Sequence, residues 1–364
     1  LCGAGVAYKL AVALGKRMAG VDFTERYLPF AAIATVTDVM ALVDENRILV
    51  KEGLKRLQAT DNIGLLALMK ANGLEPSQIT AYHVGFILGP CLNASGRLNT
   101  AKLSLGLLTA LDTEEAAAIA EELVQLNDSR KAMTEQGVRL AKYQVETTSL
   151  QEDRVLVIYL PDCHESIAGI IAGRIREAYY RPVFVLTDSA EGVKGSGRSI
   201  EEYSMFERLT ECAGLLDKFG GHPMAAGLSL RKENVEPLRC MLNEKCGLTE
   251  EMLTEKIHID VAMPISYVYP GLVEEFKLLE PFGRSNSKPV FAQKGVRALK
   301  TRIVGKNKNV LRMELLTPEG VRAEGVYFGE AEEFDRWQRE RGEFSILYYP
   351  QLNTYRGKTT LEIR

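Results

Sequence analysis

At 364 residues the chain exceeds the size at which a single hydrophobic core stops growing, so two or three domains are expected, and 46% hydrophobic with 26% charged residues is the make-up of an ordinary globular protein. A formal net charge of −3 excludes a global pull toward nucleic acid or membrane, so any polyanion site must be local. Six cysteines without a C-x-x-C pair argue against structural zinc and a secreted disulfide scaffold, no run approaches the roughly 18 apolar residues of a membrane span, and a cytoplasmic setting is expected.

The sequence begins at Leu1 in mid-pattern, with Gly3 and Gly5 before an apolar helical spacing over Val6 to Leu14, and reads as part of a longer chain. Phe30 to Val39 is short, apolar and partly β-branched, and it predicts a buried strand that delivers Asp38 at its end. Asp38 is a candidate for chemistry there, or a turn or cap aspartate. Helical spacing covers Asn46 to Leu57 and Asn62 to Ala71, and His83 reads as a packed or exposed helix residue. Gly89 to Leu98 is rich in small and polar residues and predicts a loop that presents Asn93, Ser95 and Arg97. Arg97 there can clamp a phosphate through its planar fork or close an interdomain salt bridge.

Thr113 to Val145 is rich in Ala, Glu, Leu, Lys and Gln without proline, which predicts one long amphipathic helix acting as a connector. Val155 to Tyr159, Ile167 to Tyr180 and Pro182 to Thr187 then form a strand-helix-strand pattern, with His164 at the first turn as either cap or ligand. Lys194 to Ser199 supplies hydroxyls and a guanidinium in a hairpin or loop, and Phe206 to Phe219 predicts a helix. It leads into Gly220-Gly221-His222-Pro223-Met224-Ala225-Ala226-Gly227, either a glycine packing turn or a backbone that approaches an anion closely. Beyond Ile257 short alternating segments at Val296 to Val304, Asn309 to Leu316, Arg322 to Phe328 and Glu343 to Tyr349 predict a small β-barrel. Between Arg284 and Arg312 stand nine basic residues and no acidic one, the footprint of a polyanion site or a solvated basic face.

Taken in order, these stretches resemble the RecJ family of single-strand-specific exonucleases in the DHH phosphoesterase superfamily. Ala34-Thr35-Val36-Thr37-Asp38 is similar to its GTVAD metal-site motif, Pro90 to Arg97 to its PRLNAAGR loop, and His164 to Ala172 to its HPGVVGIVA segment. Gly195 to Ser199 and Gly220 to Gly227 resemble its SGRS and GGHxxAAG pair, and Leu279 to Phe291 its lead-in to an OB-fold. The departures are Cys91 where a basic residue is usual, Ser285 and Ser287 in the OB lead-in, and no Asp-His-His anywhere.

The resemblance implies an α/β fold with four segments: the C-terminal part of a DHH parallel-sheet domain (1–111), a connector helix (112–149), a DHH-associated substrate-binding domain (150–250) and an OB-fold (251–364). It implies 5′-to-3′ digestion of single-stranded DNA in repair and recombination by a two-metal Mn²⁺ or Mg²⁺ centre, of which this chain supplies Asp38 alone. Asn93, Arg97, His164, Ser196, Gly197, Arg198, Ser199, Gly220, Gly221 and His222 are its expected phosphate-binding residues. Lys300, Arg302, Lys306, Lys308 and Arg312 are expected to track DNA on the barrel. By itself the chain is expected to bind DNA without cutting it, as a monomer, with a helicase or single-strand-binding protein as candidate partner and no membrane. A DHH phosphodiesterase for nano-oligonucleotides or cyclic dinucleotides, or a non-catalytic DNA-binding scaffold, are the alternatives.

Overall fold

The computed structural model describes residues 1–98, 100–305, 307–355 and 357–364. They divide into two compact units, one of residues 1–59, 77–85 and 257–364 and one of 60–76 and 86–256.

In the first unit, α1 (Gly3–Leu14), α2 (Thr24–Thr37) and α3 (Asp44–Gln58) pack in sequence around Tyr8, Leu28, Ala31 and Leu49. The strand expected at 30–39 is therefore part of α2. Its buried Leu28, Ala31, Ala32 and Thr35 recur at helical spacing, and three alanines outweigh the β-branched residues. Gly53 of α3 lies so close to α2 that an added Cβ would stand 2.4 Å from the Ala32 methyl.

The rest of this unit holds the four strands predicted for the barrel and two more at 350–355 and 358–363 that the sequence reading did not single out. The strands are β6 (Phe291–Val304), β7 (Val310–Leu316), β8 (Arg322–Phe328), β9 (Phe344–Tyr348), β10 (Pro350–Tyr355) and β11 (Lys358–Ile363), ordered β10-β11-β8-β7-β6-β9. The long β6 pairs with β9 through its first half and with β7 through its second, with register shifts near Val296 and Lys300. Such bulges bend a strand, and here they curl the sheet around Phe291, Val296, Leu311, Met313 and Phe344. A one-turn α5 (Ala81–His83), α12 (Pro270–Glu275) and α13 (Ala331–Arg341) are further α-helices of this unit.

The second unit is built on the long helix expected from composition, in which Asp112 caps the first turn by accepting from the Glu114 and Glu115 amides. This is α8 (Thr113–Thr147), 35 residues and about 52 Å at 1.5 Å per residue. Against it pack α4 (Ile63–Ala71), α6 (Gly89–Leu98) and α7 (Lys102–Thr109). The loop expected at 89–98 is thus helical: buried Cys91, Ala94 and Ser95 face its neighbours, and Asn93 and Arg97, four apart, share the outer face.

A five-stranded sheet follows, ordered β1-β2-β3-β5-β4. Strands β1 (Leu156–Tyr159) and β2 (Val183–Ser189) are parallel across α9 (Glu165–Tyr179), as the strand-helix-strand pattern requires. The antiparallel β3 (Gly192–Arg198), β5 (Ala225–Leu230) and β4 (Lys218–His222) extend the sheet. The helix expected over 206–219 is shorter, α10 (Met205–Glu211), because Lys218 to His222 pairs with β5 as an edge strand. Against the face opposite α9 lies a core of Val157, Phe184, Leu186, Leu228 and Leu238, the last from α11 (Val235–Glu244).

Candidate functional site

The antiparallel register decides which side chains meet, because directly paired residues point to the same face. Arg198 pairs with Ala225, which pairs with His222; Ser196 pairs with Gly227, which pairs with Gly220. On the other edge of β3, Arg198 and Ser196 pair with Val183 and Val185, whose side chains pack under α9. The face carrying Arg198, Ser196 and His222 is therefore the α9 face, and beyond β3 it is an open shelf. Glycines at 220 and 227 keep it flat, since nothing lies within 4 Å of a Cβ at Gly220 and only a carbonyl at 3.9 Å faces one at Gly227.

Two arginines edge the shelf. The Arg198 guanidinium lies on α9 at Gly169, where a Cβ would come within 2.8 Å of Nη2, and it donates 2.7 Å to the Gly197 carbonyl. From α6, Arg97 donates 2.9 Å to the Ser166 carbonyl, one turn of α9 from Gly169. Neither is ion-paired to a carboxylate among the described residues. Burial, and then the charge of Arg97, hold the Arg198 guanidinium below its usual range, an environment that an anion would relieve. Arg130 on α8 is in a similar state through burial and the charges of Arg97 and Arg174, with its fork held 3.0 and 3.2 Å from the Asn127 amide oxygen.

His164 caps α9, its Nδ1 receiving the Ser166 amide at 3.3 Å and lying 2.7 Å from the Ser166 hydroxyl. The ring is exposed and its Nε2 is left over. A pocket of about 330 Å³ opens between the start of α9 and the shelf, lined by Glu165, Ser166, Thr187, Lys194 and Ser196 among others.

Some expected site residues are not brought to this face. Ser199 is 1% exposed, and its hydroxyl donates 2.6 Å to the Tyr203 carbonyl, so it closes a turn. Gly197 points into the core, where a Cβ would stand 2.5 Å from Met205 Sδ and 2.7 Å from Phe184. Gly221 faces the same way with φ +148, and a Cβ there would meet the Ala225 carbonyl at 2.4 Å. Asn93 is exposed on α6, and no hydrogen bond ties its side chain within the described residues. The sequence reading missed Lys194, Ser229 and Lys218, which the strand alternation places in line with Ser196 and Gly220.

Asp38 belongs to the other unit, at the C-cap of α2, exposed. It is not an N-cap, and a helix C-terminus repels its charge. No group of three His, Cys, Asp or Glu side chains comes together as metal ligands among the described residues, and one carboxylate does not make a metal centre.

The basic run on the barrel is partly neutralised. Glu314 pairs with Lys300 at 3.4 Å and Arg322 at 2.7 Å, Lys308 approaches Glu332 at 3.6 Å, and the buried Glu362 holds Arg312 at 2.6 Å and Arg364 at 2.7 Å. Burial opposes the Glu362 charge, but the Asn353 amide, Arg364 and Arg312 outweigh it and keep its carboxyl below the usual range. Arg302 stands directly opposite Arg312 across β6 and β7 and has no ion pair among the described residues. Lys306 lies outside the described residues. No helix among the described residues is long and apolar enough to cross a membrane.

The RecJ OB domain model matches residues 259–364, and the DHHA1 domain model matches residues 152–247. The single-stranded-DNA-specific exonuclease RecJ of Bacillus subtilis (strain 168) is 36% identical over 319 residues, covering 86% of this chain and 40% of that protein. The exonuclease of the same name from Haemophilus influenzae is 33% identical over 389 residues, covering 100% of this chain and 66% of its own. RecJ from Thermus thermophilus in complex with Mg²⁺ matches with a TM-score of 0.84 at 30% identity, covering 99% of this chain and 55% of that one, and its Mn²⁺ complex with 0.85. The chain thus spans 40 to 66% of the length of these curated relatives. Matched along its whole length, and carrying the DHHA1 and RecJ OB modules in that order, the chain belongs to the RecJ family.

Proposed function

We propose that the chain is the substrate-gripping part of a single-stranded-DNA exonuclease that digests 5′ to 3′ in DNA repair and recombination. The observation that carries this reading is the shelf: two arginines without carboxylate partners among the described residues, Arg97 and Arg198, flank one turn of α9 beside Ser196. Guanidinium forks bind phosphate oxygens in pairs, and the partial burial of Arg198 strengthens its charged hydrogen bonds. The Ser196 hydroxyl, His164 Nε2 and His222 at the far end of the Arg198 row add donors. The glycine floor lets a sugar-phosphate backbone lie against the sheet. On this reading residues 150–250 hold the strand end and 251–364 guide the incoming strand, with 1–111 and 112–149 as the DHH remainder and its connector.

Divalent metal enters the proposal because the Thermus thermophilus relative was crystallised with Mg²⁺ and with Mn²⁺. Asp38 is the ligand this chain offers, so we propose binding without cleavage for residues 1–364 alone. A monomer working with a helicase or single-strand-binding protein is part of the same proposal. The OB module favours long strands over the cyclic dinucleotides or nano-oligonucleotides of the competing reading.

Fluorescence anisotropy with a 5′-phosphorylated oligothymidylate in EDTA tests it. Arg97→Gln and Arg198→Gln are each expected to weaken binding about tenfold, the loss of one charge-assisted contact. Undiminished affinity in both variants, or mononucleotide release by the wild-type chain once Mn²⁺ is added, would contradict the proposal.

A further inference from the structure

The shelf continues past Ser196. Two residues further along each strand, Lys194 pairs with Ser229 and Ser229 with Lys218, so two ammonium groups and a hydroxyl form one row on the α9 face. Lys218 is exposed and has no ion pair among the described residues, while Lys194 is held 2.8 Å from Glu165 at the start of α9. The pocket of about 330 Å³ beside Ser166 and Ser196 adjoins a second of about 270 Å³ lined by Lys194, Lys218, Phe219 and Ser229. The two share Lys194, Gly227 and Leu228, and so make one groove along the glycine floor.

We infer that Lys194, Ser229 and Lys218 form a second phosphate subsite, which takes the third phosphate of a DNA strand whose first phosphate is held by Arg97 and Arg198, and that Glu165 guards it. The inference rests on the DNA-gripping function proposed above. Four residues separate the Arg198 row from the Lys194 row, about 14 Å at 3.4 Å per residue. An unstacked strand spaces its phosphates at up to roughly twice the 3.4 Å stacked rise, so two steps cover that span. The intervening row of Ser196, Gly227 and Gly220 has no side chain bulky enough to lift the strand off the sheet.

Glu165 gives the subsite a sign that distinguishes it from a general basic patch. With its carboxylate on Lys194 the row carries one net positive charge, and an arriving phosphate must displace that carboxylate and bear its repulsion. Removing the charge at position 165 therefore tightens binding, and removing either lysine weakens it.

The test is calorimetric titration, in EDTA, of the chain with 5′-phosphorylated thymidine mono- and trinucleotides. Lys194→Gln and Lys218→Gln are each expected to lower trinucleotide affinity about fivefold, and Glu165→Gln to raise it about threefold, with mononucleotide affinity unchanged in all three. All three side chains are exposed, so circular dichroism should show unaltered folding. Unchanged trinucleotide affinity in both lysine variants, or weaker binding in Glu165→Gln, would sink the subsite while leaving the exonuclease reading intact if Arg198→Gln still weakens the mononucleotide. If Arg97→Gln and Arg198→Gln both leave the affinity for either ligand unchanged, both readings fall together.

Discussion

Two glycines near the shelf separate packing from binding at the level of single atoms. At Gly197 an added methyl meets Phe184 and Met205, both buried, so the core must give. At Gly169 the methyl meets the far end of the Arg198 side chain, which can swing away. Overpacking a core costs about 1 to 3 kcal/mol, whereas alanine in place of glycine inside a helix gains up to about 1 kcal/mol. Gly197→Ala should therefore lower the urea midpoint clearly. Gly169→Ala should hold or raise it while weakening single-stranded DNA binding, because the displaced guanidinium leaves the phosphate position. Denaturation and anisotropy on the two variants check this; a Gly169→Ala protein that binds like wild type would place the phosphate away from Arg198.

At the scale of elements, α9 has a cap that doubles as a candidate ligand, and the two roles can be divided. His164 Nδ1 receives the Ser166 amide, which an asparagine side chain can also do. His164→Ala should cost about 1 kcal/mol of stability, His164→Asn a few tenths at most. If Nε2 also contacts phosphate, both variants bind DNA several-fold more weakly, so His164→Asn loses affinity at preserved stability. The elements themselves were unequally legible. The 35-residue α8 and four of the six barrel strands could be read from composition and alternation, because in each the pattern runs long enough to outvote single residues. Phe30 to Val39 could not: a short, mostly apolar run fits a buried strand or a buried helix, and only the packing of α2 on α3 through Ala32 and Gly53 decides. Gly89 to Leu98 misled for a related reason, since small polar residues that suggest a loop also let α6 approach α8, where Asn127 reaches the buried Cys91 thiol at 3.4 Å. For the shelf, the residue types at Ser196, Arg198 and His222 were readable in sequence. Their common face was not, because it follows from a register shared by three strands that are not all adjacent in the chain. The same register turns Gly197 and Gly221 to the opposite face and brings Lys194 and Lys218 onto this one.

Across the whole molecule, charge has to be counted after pairing. The sequence places nine cations between Arg284 and Arg312 with no acid among them, yet Glu314, Glu332 and Glu362 arrive from outside that stretch and take Lys300, Lys308 and Arg312. A cation already paired with a carboxylate gains less from a phosphate, since it must first give up its partner, and a buried carboxylate such as Glu362 is costly to leave alone. Arg302 has no such partner among the described residues and faces Arg312 across the sheet, so a phosphate there relieves a like-charge contact as well as adding an attractive one. For a single strand each phosphate neutralised contributes about −0.7 to the slope of log affinity against log salt. Arg302→Gln should therefore flatten the slope by close to that amount, and Lys300→Gln or Lys308→Gln by a small fraction of it. Arg312→Gln should act mainly on stability, by about 1 to 2 kcal/mol, because it strips one charge partner from Glu362 while Arg364 and Asn353 remain. Titrating a long oligothymidylate at several salt concentrations with each variant measures the slopes. Equal slopes for Arg302→Gln and Lys300→Gln would mean that the ion pairs on this sheet open freely, and that the DNA path follows the sequence of cations and not their pairing.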